Sequence, residues 1–383
     1  MKRLGYLLIM TVLLLTACAP QFGRSPDETI VDEGQEDTEQ ETAIIPKHNL
    51  SDENYRVVID SNLSQARGVI TNQIANRVDI DELETGLRRH SKAVYDPEKY
   101  YFQEGQYLTK DVLYSWLERY DEETDPLGLN PAIEDTGNPI EDEKQNPKYL
   151  SHILEQNYLT KSEDDVMQLS GISIGIAMKS VYRYRTEIGG PYYYEDIPES
   201  DMLREANELA GEIVQRIRQT EGLEKVPIML AIYREAAQNS LVPGNFVAKT
   251  NVPGDQSAVG EWQNIDEENV LFPSNYGEKT YPDTWATIFD FESDIAEYFP
   301  NYVSVIGKGF YRGNELQDLK IEIPVSFYGK AELIGFTQYA YGLVLSAFPN
   351  TYNLEINITS GDKVEALIVR NVGDEEGFVH IYD

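Results

Sequence analysis

The chain of 383 residues contains one cysteine, Cys18, at the end of its only long apolar run. Without a second thiol there is no disulfide to constrain the unfolded state and no thiolate metal site, so packing alone must hold the fold. At this length packing suffices, and two lobes are expected rather than a single core. The residues ahead of Cys18 do not belong to that body. Lys2 and Arg3 give a basic start, residues 7–15 an apolar core, and Thr16-Ala17 a small-residue end. This is the pattern of a secretory leader, too short to span a bilayer permanently.

Leu15-Thr16-Ala17-Cys18 resembles the lipobox of bacterial lipoproteins. The resemblance implies cleavage between Ala17 and Cys18 by lipoprotein-processing enzymes, and a diacylglycerol on the Cys18 sulfur. Two acyl chains, at about 0.8 kcal/mol per buried CH₂, make a stable anchor. The body is then expected in the extracellular space, tied to the outer face of the cytoplasmic membrane. No other cofactor and no metal is expected.

Sixty-six acidic residues stand against 32 basic ones, a net charge of −34. Nucleic-acid partners are thereby excluded, because their affinity rests on Lys and Arg neutralising phosphates. Flat docking on an anionic bilayer is disfavoured for the same reason. Eight of the fifteen residues 27–41 are Asp or Glu. Such a segment cannot bury enough apolar surface to offset its ordering entropy, so residues 18–47 read as a disordered acidic tether after the signal peptide 1–17.

Beyond the tether the periodicity alternates between helix and strand. Ile59, Leu63, Ala66, Ile70 and Ile74 recur at helical spacing, and a second helix is expected over 81–94. Residues 100–103 read as a strand, Thr109 as a helix cap, and 148–159 as a helix started by Pro147. Residues 172–185 alternate as a strand, with an amphipathic helix after them and an inner strand over 226–233. Two Val-Pro-Gly turns, at 242–244 and 252–254, bracket a short strand. A helix capped by Thr284, a hairpin over 302–327 with Pro324 at an edge, a helix over 331–348 and a hairpin over 354–369 complete the chain. The order strand, helix, strand occurs twice. The expected fold class is therefore α+β in two lobes, 48–241 and 242–383, each a mainly antiparallel sheet with helices packed on it.

Three phrases carry a resemblance: FQEGQYLTKDVLYSWL at 102–117, PKYLSHILEQNYL at 147–159 and GISIGIAMKSVYRY at 171–184. With the lipobox and the acidic tether, they resemble the CamS family of lipoproteins, sex-pheromone precursors of Gram-positive bacteria. The family implies a lipid-anchored, outward-facing ectodomain. It also implies that some members release a short apolar mating peptide from the end of the leader. The corresponding segment here is residues 11–17, TVLLLTA, which lacks the aromatic residue associated with that pheromone.

No constellation amounts to a catalytic signature. Gly171-Ile172-Ser173-Ile174-Gly175 has the spacing of a hydrolase nucleophile elbow, yet it lies inside strand periodicity, where no sharp turn can expose the serine. Ser173 reads as a small residue on a packed strand. His48, His90, His152 and His380 are scattered, without metal-ligand spacing, and read as surface or capping residues. Aromatic residues in turn-rich segments are the stronger signal: Tyr192, Tyr193 and Tyr194 after Gly189-Gly190-Pro191, and Trp262, Tyr281 and Trp285 among Gly, Pro and Asn. Exposed rings at such positions suit a protein or cell-wall glycan ligand. A binding or scaffolding module is the leading reading, not an enzyme. The alternative is an extracellular cell-wall hydrolase or transferase using carboxylates.

Overall fold

The structure, a computed structural model, describes residues 28–31, 41–46, 49–51, 54–59, 64–163, 166–299, 302 and 304–383. Ala17 and Cys18 lie outside the described residues. Two compact units are present. The first comprises residues 1–63, 97–103 and 158–170, and the second 64–96, 104–157 and 171–383.

The first unit is built from short strands. β1 (Glu28–Val31) and β2 (Glu41–Ile44) pair antiparallel, with Glu28 opposite Ile44. Two strands thus stand where composition pointed to a tether throughout. β3 (Arg56–Val57) runs parallel to β4 (Tyr101–Glu104). Val58, Tyr101, Leu159 and Met167 form a small buried cluster. The expected helical face through Ile59 and Leu63 is not formed: Ile59 bridges Ile44, and Leu63 lies outside the described residues.

In the second unit, α1 is one turn (Ile70–Gln73), and α2 (Arg77–Ser91) starts four residues ahead of the sequence expectation. Asn76 caps it, accepting from the Val78 N–H. α3 (Lys110–Leu117) starts at the expected cap, Thr109, which accepts from the Val112 N–H. α4 (Pro139–Gln145) has proline in its first turn. Residues 148–159 hold no helix; β5 (Leu150–Lys161) is a strand buried along almost its whole length. Next come β6 (Val166–Met178), the small two-stranded sheet β7 (Val181–Tyr184) and β8 (Tyr193–Asp196), and α5 (Glu199–Ile217). β9 (Ile228–Arg234) is the expected inner strand and runs parallel to β6. β10 (Asn245–Val252) returns antiparallel to β9, and β11 (Gln263–Asn264) pairs with β10. The Val242-Pro243-Gly244 turn leads into β10 at the end of the β9–β10 connection.

A second sheet, in the order β12-β13-β14-β15-β16-β17, occupies the rest of the unit. Its strands are β12 (Glu267–Phe272), β13 (Ile306–Arg312), β14 (Glu315–Pro324), β15 (Asn353–Ser360), β16 (Lys363–Arg370) and β17 (Phe378–Ile381). Four of its five pairings are antiparallel, and β14 and β15 are parallel. α6 (Asn275–Thr280) precedes α7 (Pro282–Tyr298), and α8 (Lys330–Ala347) links the parallel strands. Thr284 lies inside α7 rather than capping it. β14 is an inner strand, so Pro324 is not at an edge; it sits two residues past the last β13 pairing, Ile306 with Glu322. Phe291, Ile295, Phe336, Ala340 and Val344 from α7 and α8 pack on Leu319, Ile321, Ile356 and Ile368 of the sheet. The α+β class holds, and helices lie between the parallel partners β3 and β4, β6 and β9, and β14 and β15.

Candidate binding surface

The six candidate aromatic residues do not form one surface. Tyr192, Tyr193 and Tyr194 lie at the β7–β8 hairpin. Arg183 pairs with Tyr194, and Tyr184 with Tyr193. Side chains alternate across a strand, so Tyr182, Tyr184 and Tyr193 turn to one face. Their rings stack, with centroids 5.2 Å apart for Tyr182 and Tyr184 and 5.5 Å for Tyr184 and Tyr193. The stack is tied down at its base. The Tyr182 hydroxyl donates to Glu143 at 2.6 Å, Arg119 donates to the same carboxylate oxygen at 2.6 Å, and the Tyr184 hydroxyl donates to the Ile140 carbonyl at 3.2 Å. Burial, and the hydrogen bond to Glu143, raise the Tyr182 pKa, so this hydroxyl stays protonated.

The other face of the hairpin points outward. Tyr192 is 47% and Tyr194 62% exposed. The Arg183 guanidinium lies 4.6 Å from the Tyr192 ring centroid and that of Arg185 5.6 Å, within cation–π range. Arg183 also donates to the Gln238 side chain at 2.6 Å. A face of two tyrosines and two arginines is thus exposed to solvent.

Trp262 stands apart, half-buried, its indole N–H donating to Asn207 at 2.8 Å. Tyr281 stacks on Tyr311 at 3.7 Å and donates to Glu268 at 2.8 Å. Trp285 is partly buried against the C-terminal core and stacks on the exposed Phe289 at 5.0 Å. Among the described residues no ring contact joins these three to the tyrosine hairpin.

Ser173 is wholly buried in mid-strand, its hydroxyl 2.8 Å from that of Ser91. It is not at an elbow. Two of the histidines expected at the surface are buried. Burial lowers the His152 pKa to about 3, leaving the ring neutral at ordinary pH. His90 Nε2 meets Glu267 at 3.0 Å.

Glu267 is the centre of a cluster that the sequence did not suggest. Arg89 donates to it at 2.9 Å, and Arg312 approaches it at 3.3 Å. Burial would raise its pKa, but hydrogen bonds from His90 and Arg89 hold it down at about 2. Its partners on α2 lie 177 and 178 residues away in the chain, so no local spacing could reveal them. Among the described residues no group of three or more His, Cys, Asp or Glu is arranged to hold a metal ion, and no helix is long and apolar enough to cross a membrane.

A family model for the CamS sex pheromone cAM373 precursor matches residues 62–376. The chain belongs to the CamS family. It is also similar to solved CamS structures. With a sex pheromone precursor from Lactobacillus salivarius subsp. salivarius UCC118 it shares 28% identity at a TM-score of 0.81, covering 88% of this chain and 98% of that one. With the C-terminal domain of the sex pheromone staph-cAM373 precursor from Staphylococcus aureus it shares 31% identity at a TM-score of 0.69, covering 81% and 99%. No curated protein matches the chain. The tyrosine hairpin lies within the matched CamS region.

Proposed function

We propose that this CamS chain is a lipid-anchored lipoprotein whose ectodomain binds a protein partner outside the cytoplasmic membrane through the outer face of the β7–β8 hairpin. The observation that carries the reading is the division of tyrosines between the two faces: three are locked into a stack, while Tyr192 and Tyr194 stand exposed with Arg183 and Arg185 beside them. Tyrosine and arginine are the residues enriched at protein interfaces and their hot spots, and a preordered face loses less entropy on binding. The anchor reading is supported by the lipobox ending in Cys18. In this account residues 11–17 are the pheromone-equivalent fragment set free by leader processing, and a synthetic TVLLLTA peptide without effect on mating at nanomolar doses would reject that part.

The binding face is tested by cross-linking on intact cells that express the chain or its Tyr192→Ala/Tyr194→Ala variant. A discrete protein adduct formed by the wild-type chain and lost in the folded variant supports the reading. An unchanged adduct, or retention on purified wall glycan with no protein adduct, would contradict it.

A further inference from the structure

The start of α7, the β13–β14 turn and the segment following α8 line an open cleft of about 490 Å³. Its walls are fixed from behind. The turn is the two-residue pair Gly313-Asn314, with φ of 57° and 66°, the left-handed geometry of a tight hairpin that sets Glu315 at the rim. The Tyr311 hydroxyl donates to Thr284 at 2.9 Å and holds the first turn of α7. Arg370 donates to the Phe348 and Pro349 carbonyls at 3.0 and 2.6 Å and holds the third wall.

The lining has a one-sided chemistry. Asp283 and Glu315 supply carboxylates, Gln317 an amide, and Leu316 and Pro349 apolar surface; no lysine, arginine or histidine lines the cleft. Tyr352 also lines it and is only 7% exposed, yet its hydroxyl makes no hydrogen bond among the described residues. Burial pushes its pKa up to about 12, so at neutral pH it is an intact hydroxyl able to accept as well as donate. Its hydroxyl is the polar end that this largely buried side chain presents to the cleft.

We propose that this cleft binds an alkylammonium side chain of lysine type, carried by a basic peptide segment. The ammonium offers three donors and no acceptor, which matches two carboxylates, an amide oxygen and the Tyr352 hydroxyl. Its methylene stem fits along Leu316, Pro349 and the Tyr352 ring. The net charge of −34 steers cations toward the chain and anions away from it. This inference does not depend on the tyrosine hairpin.

The test is calorimetric titration of the full chain at 150 mM salt with tetralysine, with its fully Nε-acetylated form, and with a neutral tetrasaccharide. Tetralysine is expected to bind, and acetylation to weaken binding at least tenfold. Asp283→Asn/Glu315→Gln should weaken it at least tenfold. Tyr352→Phe should weaken it several-fold while leaving the thermal midpoint nearly unchanged. A control, Glu122→Gln/Glu123→Gln on a distant exposed loop, removes the same charge and should bind as the wild type does. Equal loss in the control and the cleft variant would show a general field effect and overturn the proposal. Equal binding of the acetylated peptide, or binding of the tetrasaccharide alone, would overturn it as well.

Discussion

The C-terminal sheet and the sheet that contains β5, β6 and β9 bury very different material. From residue 266 onward, the buried polar residues among those described are Glu267, Thr337 and Arg370, and the core between α7, α8 and the strands is continuous aliphatic and aromatic packing. Earlier in the chain, Asp79, Ser151, His152, Glu155, Asn157, Ser173 and Glu235 are all buried. Burying a polar group costs free energy unless it finds partners. The earlier sheet meets that condition in part, with contacts distant in sequence, while Asp79 Oδ2, His152 Nδ1, Asn157 Oδ1 and Glu235 Oε1 are buried without a hydrogen-bond partner among the described residues. Glu155 accepts from the Gln106, Tyr107 and Leu108 N–H groups, the last at 2.6 Å. Asp79 accepts from the Tyr233 hydroxyl at 2.6 Å and the Gly244 N–H at 2.7 Å. One region is therefore specified by shape and the other also by hydrogen-bond matching.

The sharpest break of this comparison is a cavity in the dry core. Phe336 is wholly buried, with ring centroids 4.7 Å from Phe299 and 5.5 Å from Phe327. Phe336→Ala should cost about 3–5 kcal/mol in denaturant unfolding, the range for a buried phenylalanine. In the polar region, Glu155→Ala removes the acceptor of three N–H groups and should cost about 3 kcal/mol. Glu155→Gln should recover part of the loss, since it keeps one carbonyl acceptor. A cost for Phe336→Ala well below that of Glu155→Ala would refute the assignment of shape to one region and pairing to the other.

An intermediate effect is expected in acid. The Glu267 carboxyl is held below its ordinary 4.5 at about 2. A carboxyl depressed in the folded state contributes stability that is present above its unfolded value and lost as pH falls through the folded one. Wild-type stability should thus drop between about pH 4.5 and 2, and Glu267→Gln should flatten that part of the curve. Asp79 and Glu235 carry the opposite sign: burial raises both, so their contribution fades as pH rises through their folded values. The smallest effect is expected at Ser173→Ala, about 1 kcal/mol or less, because Ser91 keeps its bond to the Leu87 carbonyl. Any hydrolytic activity toward wall substrates that vanished with this change would revive the enzyme alternative.

Legibility in the sequence followed the same division. α5, α8, β9 and the β15–β16 hairpin were readable because their apolar positions repeat with the period of their own element. β5 was misread as a helix. Leu150, Ile153, Leu154 and Tyr158 have helical spacing, and His152, Glu155, Gln156 and Asn157 look solvent-facing. Those four are in fact buried, and the partners of Glu155, Gln156 and Asn157, such as the Glu84 carbonyl for Gln156 at 2.8 Å, lie far off in the chain. The tyrosine hairpin was findable because Gly189-Gly190-Pro191 marks the turn and three tyrosines follow it. The separation of Trp262, Tyr281 and Trp285 from it was not, since it depends on tertiary packing. The Glu267 cluster and the Tyr352 cleft assemble from several elements and leave no local trace.

The central claim is an ectodomain tied to the membrane by a lipid on Cys18. Mass spectrometry of the amino-terminal peptide from membrane-extracted protein tests it directly. The account predicts a mature chain beginning at Cys18 with a diacylglycerol thioether on that residue. An unmodified Cys18 in chains that remain firmly on membranes would contradict it.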